Sequence, residues 1–358
     1  MRAVRFHGAR DLRVEELATP PRPTGTQVLI APAKVGICGT DVHEYAAGPL
    51  RTIVEPHPIT GGHVPQILGH EFAGTVVDVG PEVDALTAGQ RVSIMPLQSC
   101  GECLACLSGR QQLCDLRAAV GLRHPWGGMA ELAVVDATQA SPMPDSLTWE
   151  QGAMIEPAAV SWSAVQLGGV SEGQSVLITG FGPIGALAAL AAVSAGGRVV
   201  VSEPNPARAA LAGASGFATI DPRAGDLATL AGEHFPAGVE VAIECSGVEA
   251  AIQGALAALA AGGVMVQTGL PGRPPTLDVQ SLMLRGLSLI GSVGYPLTCW
   301  PTVMTEVAAG RYPVERILTS TVGFDDGLPS VFERLLDPGG DELKVLIEVA
   351  QTPTSRSS

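Results

Sequence analysis

Gly180-Phe181-Gly182-Pro183-Ile184-Gly185 constrains this chain more than any other stretch. It lies between an apolar, β-prone run, Ser175 to Thr179, and an alanine-rich run with helical character, Ile184 to Ala195. Glycines at such a strand-to-helix turn allow the tight bend and bring the backbone close to a pyrophosphate, which then sits at the helix N-terminus. An ordinary glycine turn is the bland alternative, and the flanking strand and helix argue against it. The next predicted strand, Arg198 to Ser202, is closed by Glu203, placed to accept hydrogen bonds from both hydroxyls of a ribose. Its charge would repel a 2′-phosphate, which favours NAD over NADP. Arg208 is the nearby cation that would greet a phosphate instead.

Strand and helix keep alternating around this turn, with further helical character at Pro206 to Ala214 and strands near Ala218 to Ile220, Val239 to Glu244, Val264 to Gln267 and Leu287 to Ile290. That rhythm predicts an α/β fold with a doubly wound parallel sheet. Residues 1 to about 150 read differently. Short β-prone segments at Gln27 to Ala31, Phe72 to Val79, Arg91 to Met95 and Ala130 to Val135 are separated by Gly and Pro, and a proline-bearing stretch from Glu44 to Gln66 reads as a loop. Towards the end, Leu328, Val331, Phe332, Leu335 and Leu336 fall at helical spacing, Val345 to Val349 suits a last strand, and Gln351 to Ser358 reads as frayed. Two uncharged runs, Ser175 to Gly197 and Ala250 to Gly272, are long enough for membrane spans. Their clustered glycines favour strand-turn-helix and helix-turn-strand instead.

Cys100, Cys103, Cys106 and Cys114 form the strongest local signal. Four thiolates at these spacings can enclose one tetrahedral zinc with no open position, so this site is structural. Free thiols or an iron-sulfur cluster are the weaker alternatives. A second constellation is dispersed. Cys38 offers a thiolate, His70 an imidazole, and Glu71 and Glu156 two carboxylates, either of which would complete a set of three ligands with one position open for chemistry. Taken singly, Cys38, Thr40 and His43 have bland readings as a small buried residue, a turn residue and a surface imidazole.

The chain carries 35 acidic against 21 basic residues, a formal charge of -14. Such a surface repels phosphate backbones and anionic membranes, so neither nucleic acid nor membrane is an expected partner. The first residues contain no apolar stretch fit for a signal peptide, and a cytoplasmic location is expected.

The motifs Cys38-Gly-Thr-Asp-Val-His43, Gly69-His-Glu-Phe-Ala-Gly-Thr-Val-Val-Asp-Val-Gly80, the cysteine run and Gly180 to Gly185 together resemble the zinc-dependent medium-chain alcohol dehydrogenases. Within them, the stretches 43 to 49, 56 to 60 and 155 to 160 look most like the (R,R)-butanediol dehydrogenase branch, near the sorbitol dehydrogenases. The resemblance implies a GroES-like catalytic domain, residues 1–153 completed by 291–358, and an inserted Rossmann domain, 154–290. It implies a catalytic zinc on Cys38, His70 and one acidic residue, with Glu71 or Glu156 ligating and the other acting through water, plus one structural zinc per chain. It further implies that Asp41 supports His70, Thr40 bonds the substrate oxygen and His43 passes the proton to solvent. The reaction implied is reversible, NAD-linked oxidation of a secondary alcohol in a vicinal diol, hydroxyketone or polyol, by a homodimer or homotetramer. Sorbitol or threonine is the alternative substrate, and a non-catalytic zinc and dinucleotide binder is the rival from another class.

Overall fold

The structure, a computed structural model, describes residues 1–324, 327–337 and 339–349. The chain forms two units, Met1–Glu156 with the chain from Leu318 onward, and Pro157–Ile317. Their sequences demand different cores. In the first, the central strand Gln27–Gly36 lies between Glu71–Val79 and Lys344–Glu348, both antiparallel to it. Arg91–Ile94 and Ala140–Pro142 extend the sheet on one side, and Leu318–Gly323 joins parallel to Lys344–Glu348 on the other. Inward residues such as Val28, Ile30, Phe72, Val76, Val345 and Ile347 share one buried cluster. Pro32 has no N–H for the ladder and is accommodated by a register shift between Pro32 and Lys34, a bulge in the strand.

Residues 2 to 16 form a hairpin, Arg2–Gly8 against Asp11–Glu16, whose Val4, Phe6 and Leu12 are buried. Within the proline-bearing stretch expected to be a loop, the first residues instead finish a helix, Gly39–Ala47.

The second unit is a six-stranded parallel sheet. Its spatial order is Ala218–Ile220, Arg198–Ser202, Ser175–Thr179, Val239–Glu244, Leu259–Gln267, Ser288–Gly291. The strand order reverses beside Ser175–Thr179, which is where open α/β sheets have their ligand crevice. Both long uncharged runs resolve as strand-turn-helix and helix-strand, and among the described residues no helix is long and apolar enough to cross a membrane.

The second unit reaches Ile317, whereas residue 290 was the expected limit. The helix Cys299–Ala308 and fully buried Tyr312 pack within it, the Tyr312 hydroxyl lying 3.1 Å from the Leu187 carbonyl and 3.3 Å from that of Ala158. The expected frayed tail, Gln351 to Ser358, lies outside the described residues.

Candidate active site

Cys38 is the N-cap of the helix Gly39–Ala47. Its N–H donates to Asp41 Oδ2 at 3.0 Å, so the short helix start fixes the thiol and the carboxylate relative to each other. Asp41 is wholly buried, and its Oδ1 lies 3.6 Å from Nδ1 of buried His70. His70 and Glu71 lead into the strand Glu71–Val79, which pairs with Gln27–Gly36 and so returns them beside Cys38. One ligand atom from each of Cys38, His70 and Glu71 lies within 4.8 Å of the others.

The electrostatics of this group favour a cation. Burial would lower the His70 pKa, yet Asp41 and Cys38 outweigh it and hold the ring well above the ordinary imidazole value. A divalent ion would satisfy the same field that a proton satisfies. Among the described residues neither Asp41 Oδ1 nor His70 Nδ1 has a hydrogen-bond partner, although both are buried. Zinc fits the donor set of thiolate, imidazole and carboxylate.

A residue that sequence reasoning missed completes the group. Lys344 is buried, its Nζ donates to the Ile37 carbonyl at 3.0 Å, and it forms an ion pair with Glu71 Oε2. Burial works against the charged ammonium, but Glu71 and Cys38 raise its pKa, with a smaller contribution from Glu156. Gly36 makes the pair possible, since a Cβ there would stand 2.1 Å from Glu71 Oε2 and 3.0 Å from Lys344 Cε. The available signal was a lone lysine opening an apolar strand. Glu156, the last residue of the first unit, belongs to the helix Trp149–Leu167 and is outside the Cys38, His70 and Glu71 group. Thr40 is half-buried and His43 exposed, three residues apart and therefore on one face of their helix.

Cys100, Cys103, Cys106 and Cys114 converge with free thiols. Sulfur separations are 3.5 Å for Cys103 to Cys106, 3.5 Å for Cys114 to Cys100 and 3.9 Å for Cys100 to Cys106. A tetrahedral zinc with bonds of about 2.3 Å requires sulfurs roughly 3.8 Å apart, so the lobe is already shaped for one ion.

In the second unit, the three glycines of the 180 to 185 turn have separate duties. Gly180 has φ +87°, a Cβ on Gly185 would come within 1.9 Å of the Gly180 carbonyl oxygen, and Gly182 faces open space. Those are the needs of a tight turn, of close helix-strand packing and of backbone approach by a pyrophosphate. Pro183 and Ile184 begin the helix Pro183–Ser194. Buried Glu203 turns back to this loop, accepting from Phe181 N at 2.6 Å and from Asn205 N at 2.7 Å. Arg208 lies in the first turn of Pro206–Ala214, its buried Nε without a hydrogen-bond partner among the described residues.

Comparison with known proteins agrees with this geometry. The alcohol dehydrogenase GroES-like domain matches residues 24–145, and the zinc-binding dehydrogenase domain residues 183–309. The (R,R)-butanediol dehydrogenase of Bacillus subtilis is 30% identical, over 97% of this chain and 99% of that protein. The chain belongs to the zinc-dependent medium-chain alcohol dehydrogenases. A sorbitol dehydrogenase of Macaca fascicularis is 33% identical over 90% of this dehydrogenase and 92% of its own length. Among solved structures, 2R,3R-butanediol dehydrogenase from Bacillus subtilis superposes with a TM-score of 0.91 at 30% identity, covering 97% and 99% of the two chains. A zinc-binding dehydrogenase structure from Sinorhizobium meliloti 1021 bound to NADP gives 0.86 at 32% identity, over 97% and 98%. This chain is therefore an alcohol or polyol dehydrogenase that uses zinc, and the reading as a non-catalytic binder falls.

Tyr45 is buried, packs edge-on against Phe332 and donates its hydroxyl to Glu333 Oε1 at 2.6 Å.

Proposed function

We propose that this dehydrogenase interconverts a secondary alcohol of a vicinal diol, such as 2,3-butanediol, and its ketone, using NAD. The observation that carries the reading is the group of Cys38, His70 and Glu71 with Asp41 behind it, in a chain whose relatives include butanediol dehydrogenases. Cys38, His70 and one carboxylate would hold a catalytic zinc, and the four clustered cysteines a second, structural one. When bound, the zinc would supply Lewis acidity towards the alcohol oxygen and the nicotinamide a hydride acceptor. Thr40 bonds the substrate hydroxyl and takes up its proton, and exposed His43 passes it to solvent. Asp41 holds the His70 ring in orientation.

Glu203 supports NAD over NADP, because its buried carboxylate already turns towards the glycine-rich loop, where a 2′-phosphate would meet negative charge. The Sinorhizobium relative binds NADP, so the fold alone does not choose. A sorbitol-type substrate is the second reading, favoured by the Macaca relative. The expected homodimer or homotetramer draws support from the edge strand Ser288–Gly291. Among the described residues it pairs on one side only, and Leu289 on it and Val279, Met283 and Leu284 on the preceding helix Val279–Arg285 are exposed, apolar surface that a second copy would cover.

The test is an NADH-linked assay across 2,3-butanediol stereoisomers, acetoin, sorbitol, threonine and simple secondary alcohols, with metal analysis of the same preparation. The highest kcat/KM is expected on a butanediol stereoisomer or acetoin with NAD. A hundredfold preference for sorbitol or threonine would move the assignment to that branch.

A further inference from the structure

Glu244 closes the strand Val239–Glu244 and is 0% exposed. That strand neighbours Ser175–Thr179 at the point where the sheet order reverses, so its carboxylate lies at the floor of the expected ligand crevice. Every hydrogen-bond partner of the carboxylate is a neutral donor. Oε1 accepts from Thr179 Oγ1 at 3.3 Å, from Ser246 N at 2.8 Å and from the Ser246 hydroxyl. Gly247 N reaches both oxygens, at 3.1 and 3.0 Å, and Gln267 Nε2 donates to Oε2 at 2.5 Å. Both carboxylate oxygens serve as acceptors in this set.

These donors come from three different strand ends. Thr179 precedes the glycine-rich loop, Ser246 and Gly247 form the turn after Glu244 itself, and Gln267 ends the strand Leu259–Gln267. The main-chain carbonyl of Glu244 adds Thr268 N and Gly269 N, both at 2.8 Å. Contact between the turns is close. A Cβ on Gly269 would stand 2.3 Å from Gly247 N and 2.6 Å from Glu244 Oε2, and one on Gly180 would lie 3.0 Å from Ser246 Cβ. Among the described residues no cationic side chain joins this set, and a fully buried carboxyl group is a costly way to join turns that a neutral side chain could also join. Its return must lie in geometry that a weaker acceptor would not hold.

We propose that Glu244 is the positioning residue of the dinucleotide site, tying the turns after three adjacent strands into one rigid rim around the cofactor. This rests on the reading that the chain binds a nicotinamide dinucleotide. Glu244 acts through the turns it binds, so its loss loosens the rim and the cofactor first.

The test is fluorescence titration of the zinc-loaded full-length protein with NADH, alongside steady-state kinetics and thermal melting. Wild type is titrated first, and if it binds no NADH, the dinucleotide reading and this one fall together. In Glu244→Gln, one acceptor oxygen becomes an NH2 group facing donors. The Kd for NADH is expected to rise at least tenfold, while the KM for the alcohol at saturating cofactor stays within threefold of wild type. Ser246→Ala and Thr179→Val each delete one donor and leave the carboxylate, and should raise the Kd about threefold. A folded Glu244→Gln that binds NADH as wild type does, or that raises both constants equally, overturns the proposal. Should Glu244→Gln fail to fold, the two donor variants decide, and wild-type Kd values in both overturn it.

Discussion

The two metal-competent groups of the first unit are opposites in construction. The four cysteines lie between residues 100 and 114, bring their own sulfurs to zinc-like separations, and are partly open to solvent. Cys38 and the adjacent pair His70 and Glu71 come from two separate segments, are backed by buried Asp41 and Lys344, and are assembled by sheet pairing. A site that only has to stay closed can be built from one loop. A site that must keep a position open needs its ligands held from behind, because no fourth ligand locks them.

His70→Ala should break that contrast most completely. Activity is expected to fall by about a thousandfold or more, and zinc content from two to one per chain, with the cysteine lobe intact. Retained turnover would mean that His70 is not a ligand. Cys103→Ser should do the reverse, losing one zinc and lowering the melting temperature while the remaining ion stays with Cys38 and His70. Wild-type zinc content and melting temperature in that variant would sink the structural assignment of the lobe.

Lys344→Met tests whether the first group depends on its backing. Removing one partner of a fully buried ion pair costs about 3 to 5 kcal/mol, because Glu71 is left as an unpaired anion. Denaturant unfolding should show that loss, and Lys344→Met with Glu71→Gln should recover a large part of it. An undiminished stability in the single variant would show that the pair contributes nothing.

The smallest effect concerns the segment joining the two groups, which follows Cys114 and brings Gly121 against Gly69 and His70. On it, buried His124 has its pKa pushed down to about 4, first by burial, with His57 adding to the fall. The ordinary value is 6.5, so between pH 6.5 and 4 the unfolded chain binds a proton that the folded ring refuses. Stability from this group is therefore present above pH 6.5, is lost as pH falls through that window, and changes no further below it, by about 3 kcal/mol in all. His124→Phe should flatten that part of the stability profile, and an unchanged slope would assign it to other groups.

Much of the second unit was legible because periodicity and glycine placement are local. Ser175–Thr179, Arg198–Ser202, Pro206–Ala214, Ala218–Ile220 and Val239–Glu244 lie where their patterns place them. The N-terminal hairpin was not, since its arginines and glutamates draw the eye to charge while Val4, Phe6, Leu12 and Val14 keep a strand period. Cys38, His70, Glu71 and the four cysteines announced themselves as ligand types. Lys344, Gly36 and Glu244 did not, because a backing residue has no motif and its partners are fixed only by sheet pairing.

The pairing of Lys344–Glu348 with Gln27–Gly36 also sets an order of assembly. On the ribosome, the cysteine lobe is complete once residue 114 has emerged, so it can take its ion early. The group of Cys38, His70 and Glu71 is encoded by residue 71, but Glu71 waits for a counter-ion encoded after the entire second unit. Until then only residues 27–30 of the central strand have a neighbour on that side, in Ala133–Asp136, while 34–36 lack theirs, and an unpaired strand edge in a nascent chain is a site of aggregation. Synthesis halted between residues 114 and 344 would release a chain whose cysteine lobe is complete but whose Cys38, His70 and Glu71 group lacks its buried counter-ion.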